Sequence, residues 1–190
     1  MKLCGDSIRV VRPLFQAESD GSIPISPLQL RIEKVDIKTA LKLNKLWHSK
    51  LPNLTNWMAC ESYSAEYCNR FYAIAIFGPP VARALNGTAT LELRRMAIAS
   101  EAPKNTASRM ISVMLKILKV SKPWLKKIIS YQDTDVHQGT IYKASGWQIG
   151  HITKKSEIRW GKLNKDGKGR IRNEIIATGE KIRWERRLNV

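Results

Sequence analysis

The pattern of apolar and polar residues predicts a chain in which strands and helices alternate. Leu28, Leu30 and Ile32 alternate with polar residues at the period of a β-strand. Residues 71–77 form a nearly continuous apolar run, which is typical of a strand covered on both faces. The run stops at Gly78, where two prolines follow, and a further strand is predicted up to Ile98. We therefore expect a central sheet buried on both sides.

Two longer segments have the apolar spacing of helices. Asp36 stands as an N-cap before the first, IKTALKLNKLWHS, which Pro52 ends. Asn105 is the predicted N-cap of the second, in which Met110, Met114 and other apolar residues recur at helical spacing. We interpret this apolar stripe as core packing.

The order of elements from Leu91 to Gly150 adds a candidate anion site. A strand leads into a helix, a second buried strand follows at residues 128–131, and a short helix ends near Trp147. Backbone N–H groups at a helix start can bind an anion. This order resembles the GNAT acyltransferases, which implies an α/β (α+β) fold with a mixed central sheet flanked by helices. GNAT proteins hold the pyrophosphate of coenzyme A with a glycine-rich turn, but residues 103–108 contain no glycine.

Charge narrows the choice of partner. The chain has 33 Lys and Arg against 16 Asp and Glu, a net charge of +17 and a pI of about 10.1. Such an excess favours DNA or another polyanion. No long apolar run or signal peptide is present, so we expect no membrane association. Three cysteines without metal-ligand spacing fit the reducing cytoplasm of a host cell.

We predict an N-terminal arm over residues 1–27, a GNAT-like catalytic core over 28–150, and basic strands with a loop over 151–190 that complete the same domain. The last segment has 12 Lys and Arg against 5 Asp and Glu. Its tryptophans either stack on nucleic-acid bases or pack on the sheet. The candidate nucleic-acid contacts are Trp160, Lys165, Lys168, Arg170, Arg183 and Trp184. The oligomeric state stays open, a homodimer included.

Acyl transfer from a thioester needs a phosphate cradle, a base and an acid. Lys104 and the amides near Ser108 are candidates for the cradle, and the strand end at Ala97 for contact with the thioester. Tyr142 occupies the position of the proton-donating tyrosine of GNAT proteins. Asp133 follows a buried strand and is a general base, a metal ligand or the cap of a turn. His48, beside an apolar helix face, is structural or functional.

Several motifs together resemble the Mom family of bacteriophage DNA-modification proteins. They are GPPVARAL, the strand with Glu92 and Arg95, the Lys-Asn-x-x-Ser turn and the ending Ile-Tyr-x-x-x-Gly-Trp. The resemblance spans roughly residues 28–150. It implies a GNAT-like transferase that converts adenine in double-stranded DNA to an N6-carbamoylmethyl form, which protects the DNA from restriction. Acetyl-CoA or a related acyl-CoA is the implied donor.

The resemblance also implies roles for single residues. Arg95 and Ser108 would belong to the cofactor pocket, and Asp133 and Tyr142 to the reaction centre. His48 would match a family histidine for which a link to iron has been proposed. Together with the reasoning from the residues, the predicted catalytic set is His48, Asp133 and Tyr142, with His48 as the metal ligand. The predicted cofactor-binding set is Arg95, Ala97, Lys104, Asn105 and Ser108.

Two other functions compete with this one. The first is an ordinary GNAT N-acetyltransferase that acts on a protein or a small amine. The missing glycine turn argues against it, because glycine lets the backbone approach a pyrophosphate closely. The second is an inactive DNA-binding module that kept the fold. His48, Asp133 and Tyr142 together argue against that alternative.

Overall fold

A computed structural model describes residues 23–54, 61–85, 89–154, 156–163 and 170–188. The strands are β1 Arg31–Lys34, β2 Glu61–Tyr67, β3 Arg70–Gly78, β4 Thr90–Ile98, β5 Lys127–Asp133, β6 Gln148–Thr153, β7 Ser156–Leu163, β8 Arg170–Thr178 and β9 Lys181–Arg187. Seven of them form a mixed sheet with the order β1-β2-β3-β4-β5-β9-β6, and β7 and β8 form a separate antiparallel pair. The α-helices are α1 Ile37–Trp47, α2 Thr106–Ser121 and α3 Thr140–Ala144, and short 3-10 helices span Pro27–Gln29 and Arg83–Leu85.

The helices and the apolar strand agree with the sequence pattern. Asp36 caps α1 by accepting a hydrogen bond from the amide of Thr39 at 2.9 Å. The first strand, however, begins at Arg31 rather than Leu28. The Ser26 side chain and Gln29 close a capping box around the preceding 3-10 helix, which takes up the residues of the predicted strand start. Strand β2 was not predicted, because its buried positions include polar residues such as Ser62 and Ser64.

The sheet has a gap at its centre. Strands β4 and β5 run parallel, and only Thr90–Leu93 pair with Lys127–Ser130. Beyond that point β4 pairs with β3, and β5 pairs with β9. Residues 94–98 of β4 and 131–133 of β5 therefore face each other across an opening, which we call the central gap. All other strand pairs of the described sheets are antiparallel.

The two faces of the sheet carry different helices. Helix α1 packs through Ala40 against Ile74 and Ile76 of β3. Helix α2 buries Met110 and Met114 in the larger apolar core on the opposite face, as its apolar stripe predicts. The sheet is thus covered on both faces, which explains the apolar run of β3. No helix in the described ranges is long and apolar enough to cross a membrane.

The basic tail supplies an interior strand. β9 lies between β5 and β6, and its Trp184 is only 3% exposed. The indole Nε1 donates to Gln132 Oε1 at 2.7 Å, and the ring stacks on Tyr142 with centroids 5.5 Å apart. Of the two roles predicted for Trp184, the structure agrees with packing on the sheet and not with stacking on DNA bases, because the ring and its N–H group are engaged inside the core.

The other residues of the predicted DNA-binding set belong to the same C-terminal segment of the chain. Trp160 and Arg170 lie on β7 and β8, and the two strands flank the predicted basic loop. Lys165 and Lys168 fall outside the described residues. Arg183 lies on β9 and is bound to Glu185, with its guanidinium 2.9 Å from the carboxylate. Their contacts with DNA stay predictions.

Gly139→Ala is expected to destabilise the protein by about 3 kcal/mol. Gly139 has φ +71°, and an added Cβ would collide with Gln132 Oε1 and lie 2.8 Å from a ring carbon of Trp184. The matched control is Gly146→Ala at φ +70°, where the Cβ would meet only the flexible side chain of Arg186. Urea unfolding should show a clearly larger decrease in the free energy of unfolding for Gly139→Ala than for Gly146→Ala. Equal decreases would contradict the close packing of Gly139 against Gln132 and Trp184.

Candidate functional site

Tyr142 is held at the closed end of the central gap by a hydrogen-bond chain. The hydroxyl of Ser130 lies 3.0 Å from the carbonyl oxygen of Leu93 and 2.9 Å from the Tyr142 hydroxyl. A carbonyl only accepts, so Ser130 donates to Leu93 and Tyr142 donates to Ser130. The Tyr142 ring also packs edge-on against Trp147. Burial raises the pKa of Tyr142, so the hydroxyl keeps its proton at neutral pH.

Asp133 is the last residue of β5, three residues beyond Ser130, and its side chain lies on the opposite face of the sheet from Tyr142. Side chains alternate along β5, so Ser130 and Gln132 face α2 and α3 while Asp133 faces the α1 side. Its Oδ1 accepts from the amide of Asp135 at 3.1 Å, and Oδ2 lies 4.0 Å from Lys50 Nζ. Asp133 does cap a turn, and its side chain as a whole is 39% exposed.

His48 ends α1 and is a neutral base in positive surroundings. Its Nδ1 accepts from the amide of Leu51 at 3.2 Å. Burial lowers the pKa of His48, and the charges of Arg95 and His137 lower it further. No group of three or more His, Cys, Asp or Glu side chains in the described residues is arranged to bind a metal ion. The described residues therefore do not fit the predicted iron site at His48.

Arg95→Gln is expected to raise the pKa of His48, because it removes a positive charge that opposes protonation of the imidazole. The pKa should still remain below its ordinary value, since burial is unchanged. NMR titration of the His48 ring protons measures it. Lys116→Gln, which removes one charge from an exposed site on α2, is the control. An equal shift in both variants, or none in either, would contradict the proximity of Arg95 to His48.

A cavity of about 180 Å³ lies at the start of α2, and we call it the α2 cavity. Asn105 occupies the N-cap position with φ 68°, a left-handed conformation that glycine adopts most easily and asparagine tolerates better than most residues. Asn105 thus supplies the backbone turn without a glycine. The predicted N-cap position is right, although its side chain makes no capping hydrogen bond. The cavity is lined by Ile98, Pro103, Asn105, Thr106, Ala107, Ser108, Thr140, Ile141 and Ala144.

Other predicted cradle residues surround this turn. Lys104 is exposed beside it, where it can reach an anion. Ser108 Oγ donates to the carbonyl of Asn105 at 3.1 Å, so its proton is used within the turn. Ala97 belongs to the part of β4 that borders the central gap. These positions are compatible with the predicted cofactor roles, which remain predictions.

A larger cavity of about 700 Å³ lies on the α1 face, and we call it the α1 cavity. Arg94 and Arg95 both line it because a β-bulge interrupts the pairing of β4 with β3 at Arg94. Arg95 therefore lines a different cavity from Ser108, and the structure does not join them in one pocket as the sequence predicted. The lining consists of Leu41, Lys42, Lys45, Pro52, Asn53, Leu54, Val81, Glu92, Arg94 and Arg95.

Glu92 is a member of the α1 cavity to which sequence analysis gave no role. It is only 6% exposed, and its Oε2 accepts from the amide of Val81 at 2.8 Å. Burial raises the pKa of Glu92, although the Val81 hydrogen bond and the two arginines oppose the shift. An acidic residue between Leu91 and Leu93 in a predicted buried strand is the signal that could have found it.

The fold is similar to that of solved acetyltransferases. An acetyltransferase from Bacillus subtilis, in complex with CoA, has a TM-score of 0.53 and 16% identity, covering 82% of this chain and 97% of that chain. A GNAT family acetyltransferase from Elizabethkingia anophelis, with acetyl-CoA bound, has a TM-score of 0.54 and 18% identity over 84% and 98%. A putative GNAT acetyltransferase from Desulfovibrio desulfuricans has a TM-score of 0.58 and 10% identity over 84% and 99%. These likenesses confirm the predicted GNAT-like fold.

No curated protein matches the chain. The family model described as the Mom protein family, in contrast, matches residues 29–187. That match covers most of the chain and extends well beyond residue 150, into the basic tail with its interior strand β9. The chain belongs to the Mom protein family.

Proposed function

We propose that this protein is a transferase that attaches a two-carbon unit from an acyl-CoA to N6 of adenine in DNA, giving the N6-carbamoylmethyl form that protects phage DNA from restriction. The central gap is the observation that carries this proposal. It connects the two faces of the sheet, with Tyr142 on one face and Asp133 on the other. A donor and an acceptor that enter from opposite faces would meet there.

The donor enters from the side of α2. Phosphate groups are favoured at a helix N-terminus by roughly 0.3–1 kcal/mol from the helix dipole, and Lys104 adds a positive charge. The thioester would then extend into the central gap toward Tyr142. Residues 94–98 of β4 have a strand partner on one side only, so backbone groups near Ala97 are available for its carbonyl oxygen.

The reacting groups need a base on one side and an acid on the other. The amino group of adenine is a weak nucleophile, because its lone pair is delocalised into the ring, so positioning is essential. Asp133 accepts the proton that the amino group loses, and Tyr142 protonates the leaving thiolate. With acetyl-CoA these two proton transfers accompany formation of N6-acetyladenine and free coenzyme A. The carbamoylmethyl product instead bonds N6 to the methyl carbon, and its formation consumes ammonia or an amide nitrogen donor and a two-electron oxidant as co-reactants.

The positive charge of the chain supports DNA as the acceptor. A net charge of +17 suits binding to phosphates, and an ordinary acetyltransferase has no need of it. A base inside a duplex cannot present its amino group to a thioester, so the enzyme must extrude the base or capture it unpaired. The acceptor would then be one nucleotide at the gap.

The triple variant Lys165→Gln, Lys168→Gln, Arg170→Gln is expected to bind duplex DNA more weakly and with a shallower salt dependence. Removing the charge that neutralises one phosphate should reduce the slope of log affinity against log salt by about 0.9. Fluorescence anisotropy at several salt concentrations measures this, with circular dichroism as the check on folding. An affinity of the parent protein that does not change with salt would contradict phosphate-based binding.

Mass spectrometry of nucleosides tests the function directly. Plasmid DNA from cells that express the protein should contain adenine carrying the carbamoylmethyl group, and DNA from cells without it should not. An N6-acetyl product would mean that only simple acyl transfer takes place. If the protein is folded and binds acyl-CoA but adenine stays unmodified, the activity is that of an ordinary N-acetyltransferase with another acceptor.

A further inference from the structure

The residues that line the α1 cavity are not explained by binding of the acyl-CoA, which is proposed to enter from the side of α2. Lys42 and Lys45 of α1 line it together with Arg94 and Arg95 of β4, and the two lysines share one helix face because they are three residues apart. Its volume of about 700 Å³ falls in the range of roughly 300–1,000 Å³ that holds small ligands. Cations in such number favour an anionic ligand.

The arginines have unused hydrogen-bonding capacity at this cavity. The Nε atoms of Arg94 and Arg95 are buried, and neither has a hydrogen-bond partner among the described residues. Other nitrogens of the same side chains are bound to the backbone, Arg94 to the Pro79 carbonyl and Arg95 to the carbonyl of Arg94. A buried donor without a partner is unfavourable, so a ligand that accepts from it gains affinity.

Glu92 adds a hydrogen-bond acceptor to the cationic lining of the α1 cavity. It is the one carboxyl group in a described lining that otherwise contains four cations, and the Val81 amide fixes its orientation. Carboxyl oxygens accept hydrogen bonds from the exocyclic amino groups of bases. The lining thus combines cations for phosphate, a carboxyl group for an amino-bearing base, and the apolar side chains of Leu41 and Leu54 for a ring.

We propose that the α1 cavity holds one nucleotide extruded from the DNA strand next to the adenine that reacts, with Lys42 and Lys45 on its phosphates and Glu92 on the amino-bearing edge of its base. This assignment rests on the proposed function, because it names where the DNA substrate enters. Arg94 and Arg95 belong to the part of β4 that borders the central gap, so the cavity adjoins the opening. The cavity is thereby on the Asp133 side, opposite the α2 cavity.

Purified protein and short duplexes with one unpaired purine test the proposal. One duplex carries an unpaired adenine, and the other carries unsubstituted purine, which lacks the amino group. The parent protein should prefer the adenine duplex by about tenfold, the value of one charge-assisted hydrogen bond. Glu92→Gln should lose this preference, since its amide can still accept from Val81 but presents a donor to the base. Its thermal unfolding should match that of the parent.

The phosphate contacts are tested by a matched pair of double variants. Lys42→Gln with Lys45→Gln should weaken binding of the adenine duplex at least about tenfold and lower its salt slope by about 1.4, the value for two single-strand phosphate contacts. Lys116→Gln with Lys119→Gln removes the same charge from exposed sites on α2 and should change the affinity by less than about twofold, because α2 covers the opposite face of the sheet.

The outcomes separate this proposal from the proposed function. If both double variants bind alike, or if Glu92→Gln keeps the preference for adenine, the α1 cavity is not the nucleotide site. Modified adenine in cellular DNA would then still support the proposed function. If cellular adenine is unmodified, the proposed function fails, and the binding experiments with purified protein still decide whether the α1 cavity takes an unpaired nucleotide.

Discussion

Tyr142→Phe is expected to lower the rate of adenine modification by about 10²- to 10⁴-fold while the protein stays folded and binds DNA. The substitution removes one oxygen and leaves the ring in place between Trp147 and Trp184. Ser130 still donates to the Leu93 carbonyl, so no buried donor is orphaned. The variant therefore lacks the hydroxyl that protonates the leaving thiolate, while the packing of the ring is almost unchanged.

The amount of modified nucleoside measures this effect, and Tyr72→Phe is the matched control. Tyr72 is also a buried tyrosine, but it lies on β3, outside the proposed reaction centre. Ser130→Ala should reduce kcat with little change in KM, because Ser130 positions the Tyr142 hydroxyl and touches no substrate. If Tyr142→Phe modifies DNA at the parent rate, Tyr142 is only a packing residue.

Asp133→Asn is expected to cause a loss of similar size, because an amide cannot take the proton from the adenine amino group. The asparagine oxygen can still accept from the Asp135 amide, so the turn after β5 is kept. DNA affinity should be unchanged or slightly higher, since a negative charge is removed near the proposed DNA site.

Asp135→Asn is the control for Asp133→Asn, because it removes a carboxylate from the same turn. Nucleoside mass spectrometry and DNA binding are measured for both variants. If both variants modify DNA at the parent rate, Asp133 has only a structural role, in which it caps the turn by accepting from the Asp135 amide.

The elements with strong periodicity could be predicted from the sequence, and those set by distant partners could not. The apolar face of α2 and the buried run of β3 agree with their patterns. Strand β2 was also missed because its Glu61 is buried. Lys34 and Lys122 lie 2.8 and 3.6 Å from the Glu61 carboxylate and offset the cost of burying its charge. These partners come from separate elements, and local sequence carries no sign of them.

The same division holds within the candidate site. The turn before α2 was recognisable because a strand leads into a helix there, and Asn105 adopts the left-handed conformation that the absent glycine would have provided. The basic neighbours of Trp184 could not decide between stacking on DNA and packing on the sheet, because its burial depends on β9 entering the sheet beside β5. The α1 cavity depends on a bulge at Arg94, which shifts the alternation of β4 by one residue.

The short pairing of β4 with β5 has a consequence for how the protein moves. Only four residue pairs join the two halves of the described sheet at its centre. Amides of residues 94–98 that point into the opening should exchange hydrogen with water quickly in the free protein. The pantetheine arm of a bound acyl-CoA, whose amide oxygens can accept their hydrogen bonds, would slow that exchange and tie the halves together. The donor substrate would then take the place of a missing strand and stiffen the sheet that binds it.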